Sequence, residues 1–129
     1  MIVLDTHIWV WWVANSERLT LSQRKHIQEH QSSGLGVSII SCWEVAKLVE
    51  KGKLVLSYSV EEWLDQAIDY PGVKLLNMTI PIVVQSTQLP GFHKDPAGQI
   101  ITATAMVEQC PLLTADSKML NYPSCSTLS

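Results

Sequence analysis

Short apolar runs alternate with longer amphipathic stretches along the whole chain. The first run, Ile2-Val3-Leu4, ends on Asp5 and Thr6. A brief, β-branched apolar run closed by a polar change predicts a buried strand. The next stretch, His7 to Ala14, is apolar nearly all round and predicts a helix that is buried or faces a partner. Thr6 is its candidate cap. Within it Trp9, Trp12 and Val13 share one side, while Trp11 points elsewhere. An aromatic surface of this size is placed in core packing and, for part of it, at a subunit contact.

The alternation continues. Thr20 is the candidate cap of a polar helix from Leu21 to Gln31, whose His26 and His30 can share a solvated face. Ser32-Ser33-Gly34 is a turn, and Leu35 to Ile40 predicts a second strand. A helix follows from Ser41 to Lys51, where Ser41 and Glu44 match the Ser-x-x-Glu capping box and Gly52 ends the element. Lys53 to Ser57 is an extended link. Ser59 and Glu62 form a second capping-box pattern for a helix from Val60 to Tyr70, stopped by Pro71-Gly72. Val73 to Leu76 predicts a third strand, and Thr79 caps a helix from Ile80 to Gln88. Asp95 before Pro96 is a strong start signal for a helix running to Glu108. Pro111 to Thr114 predicts a strand ending near Asp116, and Ser117 to Leu120 one helical turn. A final edge strand is placed in the Ser124 to Leu128 tail. Strands that alternate with helices throughout predict an α/β fold, a three-layer α/β/α sandwich with a mostly parallel central sheet, as one domain over residues 1–129.

Composition narrows the class. The 129 residues suffice for one domain with a real core, and 47% are apolar, which excludes a disordered chain. No apolar run nears the length of a bilayer span, and the N-terminus lacks the basic segment of a signal peptide. Cys42, Cys110 and Cys125 show neither paired metal spacing nor an even count for closed disulfides. A cytoplasmic protein without membrane association is the expectation. The net charge of −3 argues against wide, nonspecific phosphate binding, yet not against a nucleic acid at a local, cation-bearing cleft.

The candidate chemistry lies in four acids at element ends: Asp5, Glu44, Asp95 and Asp116. A residue leaving the C-terminal end of a parallel strand faces the crevice where ligands bind. Each acid also has a local reading: Asp5 and Asp95 as helix caps, Glu44 as half of the capping box. Carboxylates brought together repel, and ionising them together calls for a counterion. A hard divalent cation, Mg²⁺ or Mn²⁺, is the natural one for oxygen ligands, and its chemistry suits phosphodiester hydrolysis. The chain contains no Gly-rich phosphate or dinucleotide loop and no Ser-centred nucleophile elbow.

The segments Ile2-Val3-Leu4-Asp5-Thr6-His7, Val37-Ser38, Trp43-Glu44-Val45-Ala46, Lys51-Gly52-Lys53-Leu54, His93-Lys94-Asp95-Pro96, Ile101 to Ala105 and Leu112-Leu113-Thr114-Ala115-Asp116 recur in order over nearly the whole chain. In them the sequence resembles the PIN-domain ribonucleases, specifically the VapC-type toxins of bacterial type II toxin–antitoxin modules. The resemblance implies a PIN-like fold, metal-dependent endonucleolytic cleavage of RNA, a homodimer, and a small antitoxin that blocks the cleft. Carried over residue by residue, Asp5 matches the first acidic ligand, Glu44 the second and Asp116 the last.

The third acid is where the chain departs. Relatives of this subtype read Asp-Pro-x-Asp-Arg, and here the stretch is Asp95-Pro96-Ala97-Gly98-Gln99. Gly98 stands at the position of the acid, and Asp95 lies about one helical turn earlier. Asp95 either reaches the same metal or is only the cap. Glycine costs a helix roughly 1 kcal/mol against alanine, so helix propensity does not explain it. Thr6, Ser38 and Thr114 neighbour the acids and can orient a carboxylate or water, or bond locally to the backbone. His93 and Lys94 are candidates for contact with the substrate backbone. Two other readings compete: a noncatalytic or weakened PIN-domain protein that keeps antitoxin or RNA binding, favoured by Gly98 and the acidic charge, and an aspartate-nucleophile phosphatase, disfavoured because His7 stands where a second acid is wanted.

Overall fold

The computed structural model describes residues 1–92 and 95–129. Its centre is a five-stranded sheet of β1 (Ile2–Leu4), β2 (Leu35–Ser38), β3 (Val73–Leu76), β4 (Leu112–Leu113) and β5 (Thr127–Leu128), in the order β3-β2-β1-β4-β5. Every pairing among the described residues is parallel. Parallel neighbours need a crossover that is usually helical, and the chain supplies α1 (Thr6–Val13), α2 (Leu21–His30), α3 (Ile39–Glu50), α4 (Val60–Ile68), α5 (Ile80–Ser86), α6 (Pro96–Glu108) and α7 (Ser117–Leu120).

The three layers follow from β1 itself. Ile2, Val3 and Leu4 are all fully buried. Side chains alternate across a strand, so Ile2 and Leu4 enter one core with Ile8, Trp9, Ile27, Val45 and Trp63, while Val3 enters the other with Ile101, Ala105 and Met119. Leu113 and Leu112 divide between the same two cores. The first core lies under α1, α2, α3 and α4, and the second under α6 and α7, with α5 packed against α6. The small buried residues Ala97, Gly98, Ala103 and Ala105 let α6 lie close to the sheet.

Several boundaries differ from the sequence expectation. Asp5, not Thr6, is the N-cap of α1, its carboxylate accepting from the Thr6 backbone N–H at 2.9 Å. Ser38 caps α3 by accepting from the Ile40 N–H, so Ile39 and Ile40 belong to the helix rather than to the strand. Two β-branched isoleucines read locally as strand; the cap and the packing of Ile40 into the second core override that preference. The Ser41–Glu44 capping box is therefore absent, since both residues lie inside the helix. Thr79 occupies an N-cap position without a side-chain cap bond. The Asp95–Pro96 start and the α7 turn stand where expected. The tryptophans of α1 are divided: Trp9 is fully buried edge-on to Trp63, and Trp12 meets Tyr70 edge-on. The exposed large apolar residues lie on other elements, among them Trp43 on α3 and Ile80 and Val84 on α5.

Candidate active site

Parallel topology brings the C-terminal ends of β1 and β4, which lie side by side, to one edge of the sheet. Asp5 leaves β1 there, and Asp116 follows β4. The body of α3 carries Glu44 to the same edge, and the start of α6 brings Asp95. All four acids line one cavity of about 400 Å³, together with His7, Trp11, Arg18, Ala115 and Met119.

Each acid is held by its own element. Asp5 is buried, accepting from the Thr6 N–H and, through Oδ2, from the Thr114 hydroxyl at 2.7 Å. Thr114 is also bound from its other side, accepting from the Asp116 N–H at 3.0 Å, so one hydroxyl ties the first acid to the last. Asp116 caps α7 by accepting from the Lys118 N–H at 2.8 Å. Asp95 caps α6 by accepting from the Gly98 N–H at 3.2 Å. Glu44 is half-buried, and its Oε1 bonds to the Thr6 hydroxyl, which also lies 2.8 Å from Ser41 Oγ. The helix starts turn partial positive charge toward the carboxylates that cap them.

Thr6 and Thr114 thus contact the acids through their side chains, as the sequence suggested they could. Ser38 acts one step back, by setting where α3 begins. Asp95 is the helix cap of α6 and also lines the cavity. Gly98 is buried in α6 and brings no carboxylate. His93 and Lys94 lie outside the described residues. Outside the site, His30 Nδ1 meets the His26 carbonyl at 2.8 Å.

Burial raises the carboxyl of Asp5 above its ordinary range, against the Thr114 and Thr6 hydrogen bonds that lower it. Burial likewise raises Glu44, with Asp5 and Asp95 adding repulsion and the Thr6 bond opposing. Glu44 therefore senses both neighbouring acids. A cation among them would relieve the desolvation and the repulsion together. The donors are all carboxylate oxygens, the set that hard Mg²⁺ or Mn²⁺ prefers. Among the described residues no three acid, imidazole or thiol groups stand close enough to form a finished metal cage. Mg²⁺ does not require one, since it keeps several waters and binds directly through one or two carboxylates. The residues fit such an ion: Asp5 and Glu44 would hold it, and Asp95 and Asp116 line the same cavity.

Sequence reasoning left out Trp11 and Arg18 as site residues, and assigned His7 no role in the site. The signal for Trp11 was its departure from the core side shared by Trp9, Trp12 and Val13. Arg18, in a polar break between helices, carried none.

Comparison with known proteins gives the family and the fold. The PIN domain family profile matches residues 2–124. The chain is 32% identical over 122 residues to Ribonuclease VapC22 of Mycobacterium tuberculosis, covering 94% of this chain and 91% of that protein. In fold it resembles the VapBC2 complex of Rickettsia felis bound to a promoter DNA fragment, with a TM-score of 0.74 at 17% identity over 99% of this chain and 98% of that one. It also resembles DNA-bound VapBC of Salmonella typhimurium, with a TM-score of 0.72 at 17% identity over 99% and 98% of the two chains. With its β1 acid, its sheet order and its family match over nearly the whole length, the chain belongs to the PIN-domain family, in the VapC type.

Proposed function

We propose that this chain is a Mg²⁺- or Mn²⁺-dependent endoribonuclease, the toxin of a toxin–antitoxin module. The observation that carries the reading is the gathering of Asp5, Glu44, Asp95 and Asp116, from separate elements, around one cavity. The 32% identity to a protein named a ribonuclease supports the reaction, and the likeness to VapBC complexes supports an antitoxin partner. Asp5 and Glu44 would hold the ion, with Asp95 and Asp116 completing the negative field. A divalent cation held there supplies the positive charge that activates water and stabilises charge developing on the scissile phosphate. Thr114 fixes the spacing of Asp5 and Asp116, Thr6 orients Glu44, and Ser38 sets the start of the helix that carries Glu44. Asp95 takes the place of the acid absent at Gly98. Exposed Trp43, Ile80 and Val84 support self-association into a homodimer. The cytoplasm is the proposed location.

A second reading rests on Gly98. The position where the subtype places an acid has no side chain, so the chain is a weakened or disarmed PIN-domain protein acting through its partner. Cleavage of a panel of structured RNAs by antitoxin-free protein, in Mg²⁺ and in Mn²⁺, separates the two. The nuclease reading expects cleavage that stops with chelator and falls more than about 100-fold in Asp5→Asn and Asp95→Asn. Cleavage seen only after Gly98→Asp establishes the second reading. Cleavage unchanged in Asp95→Asn removes Asp95 as the substitute acid.

A further inference from the structure

The cavity has a side that the acids do not account for. Trp11 and Arg18 line it opposite in chemistry to the carboxylates, with His7 beside them. Trp11 packs in part against the first core and also lines the cleft, where Trp9 and Trp12 do not reach. It is half-buried, and its ring is tilted 54° to that of His7 at a centroid distance of 5.9 Å.

Arg18 is exposed, and among the described residues its guanidinium makes no ion pair, although four carboxylates line the same cavity. Its backbone is nonetheless held. The Arg18 N–H donates to Ser16 Oγ at 3.2 Å, Arg24 donates to Asn15 Oδ1 at 3.0 Å and to the Ser16 carbonyl at 2.8 Å, and Leu19 is buried. A fixed loop therefore presents an unneutralised planar cation at the mouth of an acidic site. Guanidinium groups pair with phosphates in a fork geometry, and indole rings stack on unpaired bases of any identity.

We infer that Trp11 and Arg18 are the nucleotide-holding wall of the cleft: Arg18 takes a phosphate adjoining the scissile one, and Trp11 stacks on an unpaired base beside it. The wall supplies what the acids lack, a cation for a polyanion and a flat apolar face. It selects an unstacked nucleotide over one in a duplex, because a paired base has no face to offer. The inference rests on the nuclease reading above and goes beyond it in assigning substrate-holding residues.

The test is RNA affinity, measured by fluorescence anisotropy of a labelled single-stranded oligonucleotide at several salt concentrations. The background is Asp5→Asn with Mg²⁺, so that cleavage does not enter. Arg18→Gln is expected to weaken binding severalfold and to reduce the slope of log affinity against log salt by about 0.7, the loss of one phosphate contact on a single strand. Arg18→Lys should keep the slope. Trp11→Leu should weaken binding about tenfold at every salt concentration, and Trp11→Phe should restore most of it. Thermal melts show that each variant is folded, and the Lys and Phe variants keep the test open where the larger changes do not fold. Folded Arg18→Gln and Trp11→Leu proteins that bind with the parent's affinity and slope overturn the assignment, as they would if the wall seats a protein segment instead. Weaker binding by Arg18→Gln with an unchanged slope also overturns the phosphate contact. A parent that binds no RNA brings down the nuclease reading, and the wall with it.

Discussion

At the scale of single residues, Thr114 and Thr6 each hold one of the acids: the Thr114 hydroxyl donates to the Asp5 carboxylate while accepting from the Asp116 backbone N–H, and the Thr6 hydroxyl bonds to Glu44. The local cost is visible in Asp5 and Glu44, whose carboxyls hold their protons more tightly in the folded chain than in the open one, chiefly through burial. Between the ordinary and the raised values the folded state binds more protons than the unfolded state. Their stabilising contribution is therefore complete below about pH 4 and is lost as pH rises through the raised values. In chelator, the thermal midpoint of the parent should fall relative to that of the Asp5→Asn/Glu44→Gln double variant as pH is raised from about 4 to 7. Melts of both proteins across that range are the check, and parallel curves would contradict that direction of change.

At the scale of elements, the helix starts do the positioning. Ser38 rather than Ser41 starts α3, which moves Glu44 from the first turn into the helix body, where it meets Thr6 from α1. That was not legible in the sequence, because Ser41 and Glu44 match the capping-box spacing and Ile39-Ile40 continue the β-branched run. Local pattern favoured the later start; packing of Ile40 and Val45 on opposite sides of the sheet chose the earlier one. The Asp95–Pro96 start was legible because cap and proline agree. Another element junction is set by Gly72, which turns the chain into β3 at φ +91°, where a Cβ would come within 2.5 Å of the Gln31 carbonyl oxygen at the end of α2. Gly72→Ala combines backbone strain with a clash against a main chain that is itself held, since Gln31 Nε2 donates to the Pro71 carbonyl at 2.8 Å. A loss of about 2–3 kcal/mol, read as a fall of roughly 10 °C in melting midpoint, is expected. A midpoint within about 2 °C of the parent would show that the junction relaxes.

At the scale of the whole molecule, the acidic edge and the fold are thermodynamically linked. The repulsion and desolvation of the acids oppose folding at neutral pH, and a cation that binds only the folded chain opposes that penalty. Mg²⁺ or Mn²⁺ at about 100 times its dissociation constant should stabilise by about 2.7 kcal/mol, roughly 10 °C for a chain of this size. The shift should largely disappear in Asp5→Asn. Titration calorimetry on the same samples gives an independent reading, and an equal shift in parent and Asp5→Asn would place the ion elsewhere.

The alternation of strands and helices, and hence the three-layer parallel architecture, is written in the order of residues along the chain. Period and turn chemistry act within a few residues and are written locally. Residue order also determined which acids stand at element ends, because Asp5, Asp95 and Asp116 are helix caps as well as cleft residues. Folding in three dimensions was needed to bring Thr114, more than a hundred residues from Asp5 in the chain, to hold it by a hydrogen bond. Only the tertiary structure turned the half-buried Trp11 toward the cleft and set Arg18 on the same cavity as the acids. Contacts of that kind depend on strand order and on how helices seat against the sheet, and neither leaves a periodic mark on the chain.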